Sequence, residues 1–169
     1  NSALGGEPST LGLWAGKEST PNDCRSAHDN FIVARQDQKP ENSFQLQSCP
    51  WCGTRIIPKE HDEDSVAYGI RCNPDNKFEF FCPSQSCDFH RWLPIRVVDQ
   101  ALYTAPPTLL IGTVDKFARL TWKAEAYSFF GDGKVLPPSL IIQDELHLIS
   151  GPLGTIAGIY EAGFDTIME

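Results

Sequence analysis

The sequence predicts an α/β fold, a parallel sheet with helices, interrupted by a small inserted zinc-ribbon module. Two observations carry this. From Leu93 onward, short and nearly continuous apolar runs at residues 95–98, 109–112 and 140–142 alternate with longer mixed segments. Strands buried on both faces and joined by helical crossovers read this way. Between residues 48 and 90 lie five of the six cysteines, arranged around two runs that suit a hairpin. Of the 169 residues, 41% are apolar and 21% charged, which supplies one ordinary core and excludes a disordered segment.

The amino-terminal stretch, residues 1–40, is rich in Gly, Ser, Thr and Pro. It holds the apolar run Leu11-Gly12-Leu13-Trp14-Ala15, a turn cluster Thr20-Pro21-Asn22-Asp23, and a candidate helix over 26–36. Ala27, Phe31, Ile32 and Ala34 give that helix only a narrow buried stripe. In the cysteine region, Asn73-Pro74-Asp75-Asn76 separates the hairpin runs 66–71 and 77–81. After the last apolar run, Gly151-Pro152 opens a stretch with Leu153, Ile156, Ile159, Tyr160, Phe164 and Ile167 at helical spacing.

Charge and apolar run lengths exclude several classes. No apolar run approaches the roughly 20 residues that cross a bilayer, and residues 1–8 lack the pattern of a secretory leader. A reducing, cytoplasmic setting with free thiols and no membrane contact is therefore expected. The net charge of −8, from 22 acidic against 14 basic residues, excludes bulk electrostatic wrapping of nucleic acid and leaves that task to a local basic stripe. The chain opens with Asn1 and stops at Met168-Glu169 inside a periodic apolar pattern, so it is expected to be an excerpt of a longer protein.

Cys49-Pro50-Trp51-Cys52-Gly53 and Cys82-Pro83-Ser84-Gln85-Ser86-Cys87 place two pairs of thiols in tight turns on either side of the hairpin. Facing turns of this kind supply the four soft ligands that zinc prefers, and four protein ligands leave no open position for catalysis, so the metal is expected to be structural. Binding would contribute on the order of 10 kcal/mol of folding free energy to the module. Cys72 or His90 is a candidate to replace one of the four, whereas Cys24 is expected to be a small buried apolar residue. Trp51 either stacks on a nucleobase or packs over the hairpin, the second being the blander reading. The acidic run His61-Asp62-Glu63-Asp64 reads as a solvated loop tip.

The run Leu140-Ile141-Ile142-Gln143-Asp144-Glu145-Leu146-His147 leads an expected strand straight into two carboxylates. The carboxyl ends of parallel strands form the ligand crevice of such sheets. Phosphoanhydride hydrolysis needs one carboxylate to hold Mg²⁺, here Asp144 through water, and another to orient and deprotonate water, here Glu145. His147 is placed to report nucleotide state across a cleft. Equally, an Asp-Glu pair after a strand can cap the next helix. A second expected strand ends in Thr113 and starts a helix carrying Lys116 and Arg119, a ready seat for the phosphates of a nucleic-acid backbone.

These residues resemble a known family. Asp144-Glu145-Leu146-His147 resembles motif II, the Walker B DExH form, of superfamily 2 helicases, and Gly112-Thr113-Val114-Asp115-Lys116-Phe117 takes the place of their motif Ib. The longer strings Gly12-Leu13-Trp14-Ala15-Gly16 and Gln143-Asp144-Glu145-Leu146-His147-Leu148-Ile149-Ser150-Gly151-Pro152 resemble the helicase subunit of the bacterial DISARM antiphage system. The resemblance implies a partial RecA-like lobe over residues 1–47 and 91–169, with residues 48–90 inserted as a zinc ribbon. It also implies ATP and Mg²⁺ in the full-length protein, DNA in preference to RNA, and another defence-system subunit as partner.

The departures matter too. No Gly-x4-Gly-Lys-Ser/Thr phosphate cradle occurs: Gly12 and Gly16-Lys17 are one residue too close and are followed by Glu18, and Gly131-Asp132-Gly133-Lys134 reads as a tight surface turn. Motif III and a second lobe with its arginine finger are also missing. The chain on its own is thus expected not to hydrolyse ATP at a useful rate. The reading from another class is a non-catalytic zinc-ribbon module that binds nucleic acid or protein on a degenerate helicase-like scaffold. A zinc hydrolase using Asp144 and His147 is disfavoured, because the ligand-rich region lies elsewhere.

Overall fold

The computed structural model describes residues 8–60, 68–117, 123–131 and 136–144, at residue 115 for the main chain only. The chain divides into two compact units, Asn1–Gly112 and Thr113–Glu169.

In the first unit, β1 (Leu11–Trp14) leads into α1 (Cys24–Gln36), then into the hairpin of β2 (Ile70–Asn73) and β3 (Lys77–Phe80). The chain returns through β4 (Ile95–Arg96), α2 (Asp99–Thr104) and β5 (Leu109–Gly112). The larger sheet has the order β4-β1-β5 and is parallel throughout, with Leu11 opposite both Ile95 and Leu109. The architecture is therefore mixed α/β with a three-stranded parallel sheet, but the run at 95–98 is a strand only over Ile95–Arg96 and β5 leaves Leu109 and Ile111 exposed rather than buried on both faces.

Helix α1 starts two residues before the expected 26–36 because Asp23 caps it. The Asp23 carboxylate accepts from the Ser26 amide at 2.8 Å and from the Ser26 hydroxyl at 3.0 Å, satisfying a donor that the first turn leaves orphaned. Its buried stripe is Cys24, Ala27, Phe31 and Ala34, with Ile32 half-buried. The stripe faces a core that continues into the hairpin, where Phe44 packs against Phe78 and Phe80 at centroid distances of 4.9 and 6.5 Å.

The hairpin turn is set by one side chain. Asn73 Oδ1 accepts from the amides of Asp75, Asn76 and Lys77 at 3.2, 3.0 and 3.0 Å, closing the loop that its Asn-Pro-Asp-Asn sequence predicts. Pairing runs from Ile70 opposite Phe80 to Asn73 opposite Lys77. The expected strand residues Val66 and Ala67, and the acidic run 61–64, lie outside the described residues. A bridge from Phe80 to Leu93 ties the hairpin to the chain that enters β4.

Helix α2 is held to β1 by a buried polar relay. The Trp14 indole donates to the Tyr103 hydroxyl at 3.1 Å, and that hydroxyl donates to the Asp99 carboxylate at 3.3 Å. Gly12 allows the close approach: a Cβ there would fall 2.7 Å from Leu102 Cδ2 and 2.5 Å from Pro107 Cγ.

The second unit contains a short helix α3 (Val114–Phe117) and a 3-10 helix, Ala124–Phe130, which buries Ala126, Phe129 and Phe130. The strand expected over 140–142 is not formed. Residues 136–144 carry neither helix nor strand, and Leu140 and Ile142 are 71% and 80% exposed. An apolar run specifies a strand only where a neighbour takes up its backbone hydrogen bonds. The tight turn expected at 131–134 is described only at Gly131, and the helical pattern from Gly151 lies outside the described residues. No helix among the described residues is long and apolar enough to cross a membrane.

Replacing Gly12 by Ala is expected to lower stability by about 1–3 kcal/mol through overpacking against α2 and the chain entering β5. A fall in the urea midpoint at unchanged m-value would show it.

Candidate metal centre

The two cysteine turns are built by the same local bonding. In the first, the Gly53 amide donates to the Cys49 carbonyl at 2.9 Å and the Cys49 amide to the Thr54 carbonyl at 2.7 Å. Gly53 takes φ of 77°, a left-handed conformation that favours glycine. In the second, the Cys87 amide donates to Ser84, the His90 amide to Cys87 and the Cys82 amide to Phe89. The hairpin then sets the turns face to face: the Gly69 amide donates to the Ile56 carbonyl at 2.8 Å and the Phe81 amide to the Gly69 carbonyl at 2.9 Å.

The result is a cluster of Cys49, Cys52, Cys82 and Cys87, whose sulfurs all lie within 4.8 Å of one another. Cys49 and Cys87 are 3.9 Å apart, Cys52 and Cys82 3.4 Å. Zinc–sulfur bonds of about 2.3 Å in a tetrahedron separate the sulfurs by about 3.8 Å, whereas a disulfide needs about 2.05 Å. The spacing fits a tetrahedral metal, and all six cysteines are free thiols.

The electrostatics of the cluster suit a cation. Burial pushes the Cys82 thiol up to about 12 and raises Cys87 as well. Cys52, at the exposed corner, is drawn down to about 6, first by the Thr54 hydroxyl 3.2 Å away and then by the Thr54 amide. Amides two residues beyond the thiol also favour the thiolate at Cys82, from Ser84, and at Cys87, from Phe89. The backbone thus points donors at sulfurs that burial alone would keep protonated. A divalent cation reconciles the two by expelling the protons.

Neither alternative ligand joins the cluster. His90 turns Nδ1 to within 3.1 Å of the Cys82 carbonyl and sets its ring edge-on to Phe81, so it braces the second turn. Cys72 sits in β2 opposite Phe78, and burial raises its thiol. Cys24 is fully buried in α1, as expected of a small apolar residue. Trp51 does not pack over the hairpin: its ring meets Phe89 at a centroid distance of 5.8 Å and remains 67% exposed.

The other sequence-derived residues are only partly described. Asp144 is exposed in a stretch without helix or strand, while Glu145, His147 and Arg119 lie outside the described residues. Thr113 precedes α3, its carbonyl accepting from the amides of Lys116 and Phe117 at 3.0 and 3.4 Å, with Lys116 half-buried on that turn. Sequence reasoning missed a cavity of about 370 Å³ between β3 and α2, lined by Lys77, Glu79, Trp92, Arg96, Gln100 and Thr104 among others. It also missed the role of Thr54, for which the only signal was a hydroxyl two residues after a cysteine.

The purified chain is expected to carry one zinc per molecule by elemental analysis. Cys82→Ser should abolish it, while Cys72→Ser and His90→Ala leave it in place. Because the ligands bind as thiolates, occupancy should decline on acidification, and a chelator that strips the metal should collapse the ribbon.

No protein-family model matches the chain. The chain spans about a sixth of the length of a curated relative, 17% of that protein, while the alignment takes in 99% of the chain itself. That relative, to which this chain is similar at 31% identity over 208 residues, is the DISARM protein DrmA of Bacillus paralicheniformis.

Proposed function

We propose that this chain is part of the first RecA-like lobe of a superfamily 2 DExH-type helicase or translocase serving bacterial antiphage defence. Residues 48–90 are a zinc ribbon inserted into that lobe, which comprises residues 1–47 and 91–169. The observation that carries this reading is the similarity to DrmA, which extends over 99% of the chain and so includes the Asp144-Glu145-Leu146-His147 segment. The parallel order β4-β1-β5 supports it, since carboxyl ends of parallel strands are where such sheets place ligands.

In this reading Asp144 holds Mg²⁺ through water, a role that suits an exposed carboxylate because magnesium keeps most of its hydration shell. Glu145 orients and deprotonates the water that attacks ATP, and His147 couples the nucleotide to another element. Thr113, Lys116 and Arg119 hold the backbone of a DNA strand from the turn that follows β5. The phosphate cradle is supplied by residues of the longer protein, since this sequence contains no Gly-x4-Gly-Lys-Ser/Thr. A further subunit of the defence system is the protein partner. Zinc is structural, held by Cys49, Cys52, Cys82 and Cys87.

In the full-length protein, Glu145→Gln should leave nucleotide binding intact and lower ATP turnover by about 10²- to 10⁴-fold, the usual worth of a general base. Unchanged turnover would discard the role and leave a binding module on a degenerate scaffold. Lys116→Ala should weaken DNA binding evenly across sequences and reduce its salt slope by about one, as loss of a phosphate contact does. A sequence-selective loss would contradict that placement.

A further inference from the structure

We infer that the outer surface of the four-cysteine ribbon is a stacking platform for single-stranded nucleic acid, with the Trp51 ring as the face that takes an unpaired base. This deepens the nucleic-acid half of the proposal above and needs nothing of its ATP half. Trp51 lies between two clustered thiols, so the centre that fixes Cys49 and Cys52 also fixes its backbone. The ring is nevertheless 67% exposed, and its contact with Phe89, at an interplanar angle of 69°, covers little of it.

Arg55 closes the first turn through its bridge to Ser48, and Arg91 follows two residues after Phe89, the ring that Trp51 meets. Arg71 lies 4.3 Å above the Phe81 ring, and Phe81 meets His90 edge-on at 6.4 Å. Arg55 and Arg91, both exposed, make no salt bridge among the described residues. An exposed aromatic face with guanidinium groups on the same turns suits a strand whose bases stack and whose phosphates accept bidentate hydrogen bonds.

A protein partner fits less well. The fully buried centre of a stable protein interface is apolar, and Trp51 is the one large apolar side chain exposed among the described residues of the ribbon. A duplex fits less well too. Paired bases in a duplex are stacked on their neighbours and present no face to the Trp51 ring.

The test uses the zinc-loaded chain and a short oligothymidylate carrying 5-iododeoxyuridine, which cross-links under light to an aromatic ring stacked on it. The cross-link should map to Trp51. Trp51→Ala should lower affinity by about tenfold at unchanged zinc content, and Trp51→Phe should retain most of it. A cross-link elsewhere, equal binding by Trp51→Ala, preference for the duplex, or no binding of the oligonucleotide would each overturn the inference. None of these outcomes bears on ATP turnover by Glu145, so the two readings fail separately. Loss of binding to a protein subunit alone, with oligonucleotide binding unchanged, would assign the surface to a protein and also overturn it.

Discussion

Four sulfurs converging within 4.8 Å of one another are the constraint on which the ribbon depends. Thiolates at that spacing repel one another, and burial at Cys82 and Cys87 opposes their charge further. The two turns nevertheless aim amides at the sulfurs of Cys52, Cys82 and Cys87. Donors aimed at sulfurs that burial alone keeps protonated suit a cluster able to hold a cation. A metal held there would close the chain between Cys49 and Cys87, a span that includes the hairpin and its turn.

The ribbon is not an appendage in energetic terms. Its aromatic residues Phe78 and Phe80 share a buried cluster with Phe31 of α1 and with Val97 and Val98, which lead from β4 into α2. The Phe80–Leu93 bridge carries its backbone pairing on toward the parallel sheet. Strain or loosening at the cysteines is therefore transmitted to the chain that enters β4, because packed interiors deform as a unit. The Trp14–Tyr103–Asp99 relay fixes α2 against β1 by polar contacts that only the paired geometry satisfies.

The same rigidity gives the exposed residues of the ribbon their meaning. A tryptophan on a mobile loop loses side-chain and backbone freedom when it binds, whereas Trp51 sits in a turn closed by the Gly53–Cys49 and Cys49–Thr54 backbone bonds. Phe89 and His90 belong to the opposite turn, so both cysteine pairs contribute to one aromatic surface.

Much of this was legible in the sequence, wherever a short-range rule decides the outcome. Cysteine spacing named the four ligands, because two tight turns and a hairpin leave them few other arrangements. Asp23 and the Asn-Pro-Asp-Asn turn act through side chains that bond backbone two to four residues away, and the runs at 109–112 and 95–98 marked where β5 and the shorter β4 form. Three things were decided only in the folded chain. The exclusion of Cys72 and His90 from the cluster follows from which face of a strand and which carbonyl each meets. The exposure of Trp51 follows from the placement of Phe89, 38 positions along the chain. At 140–142 no strand pairing occurs among the described residues, since apolar sequence supplies the side chains of a strand but its ladder must come from another segment.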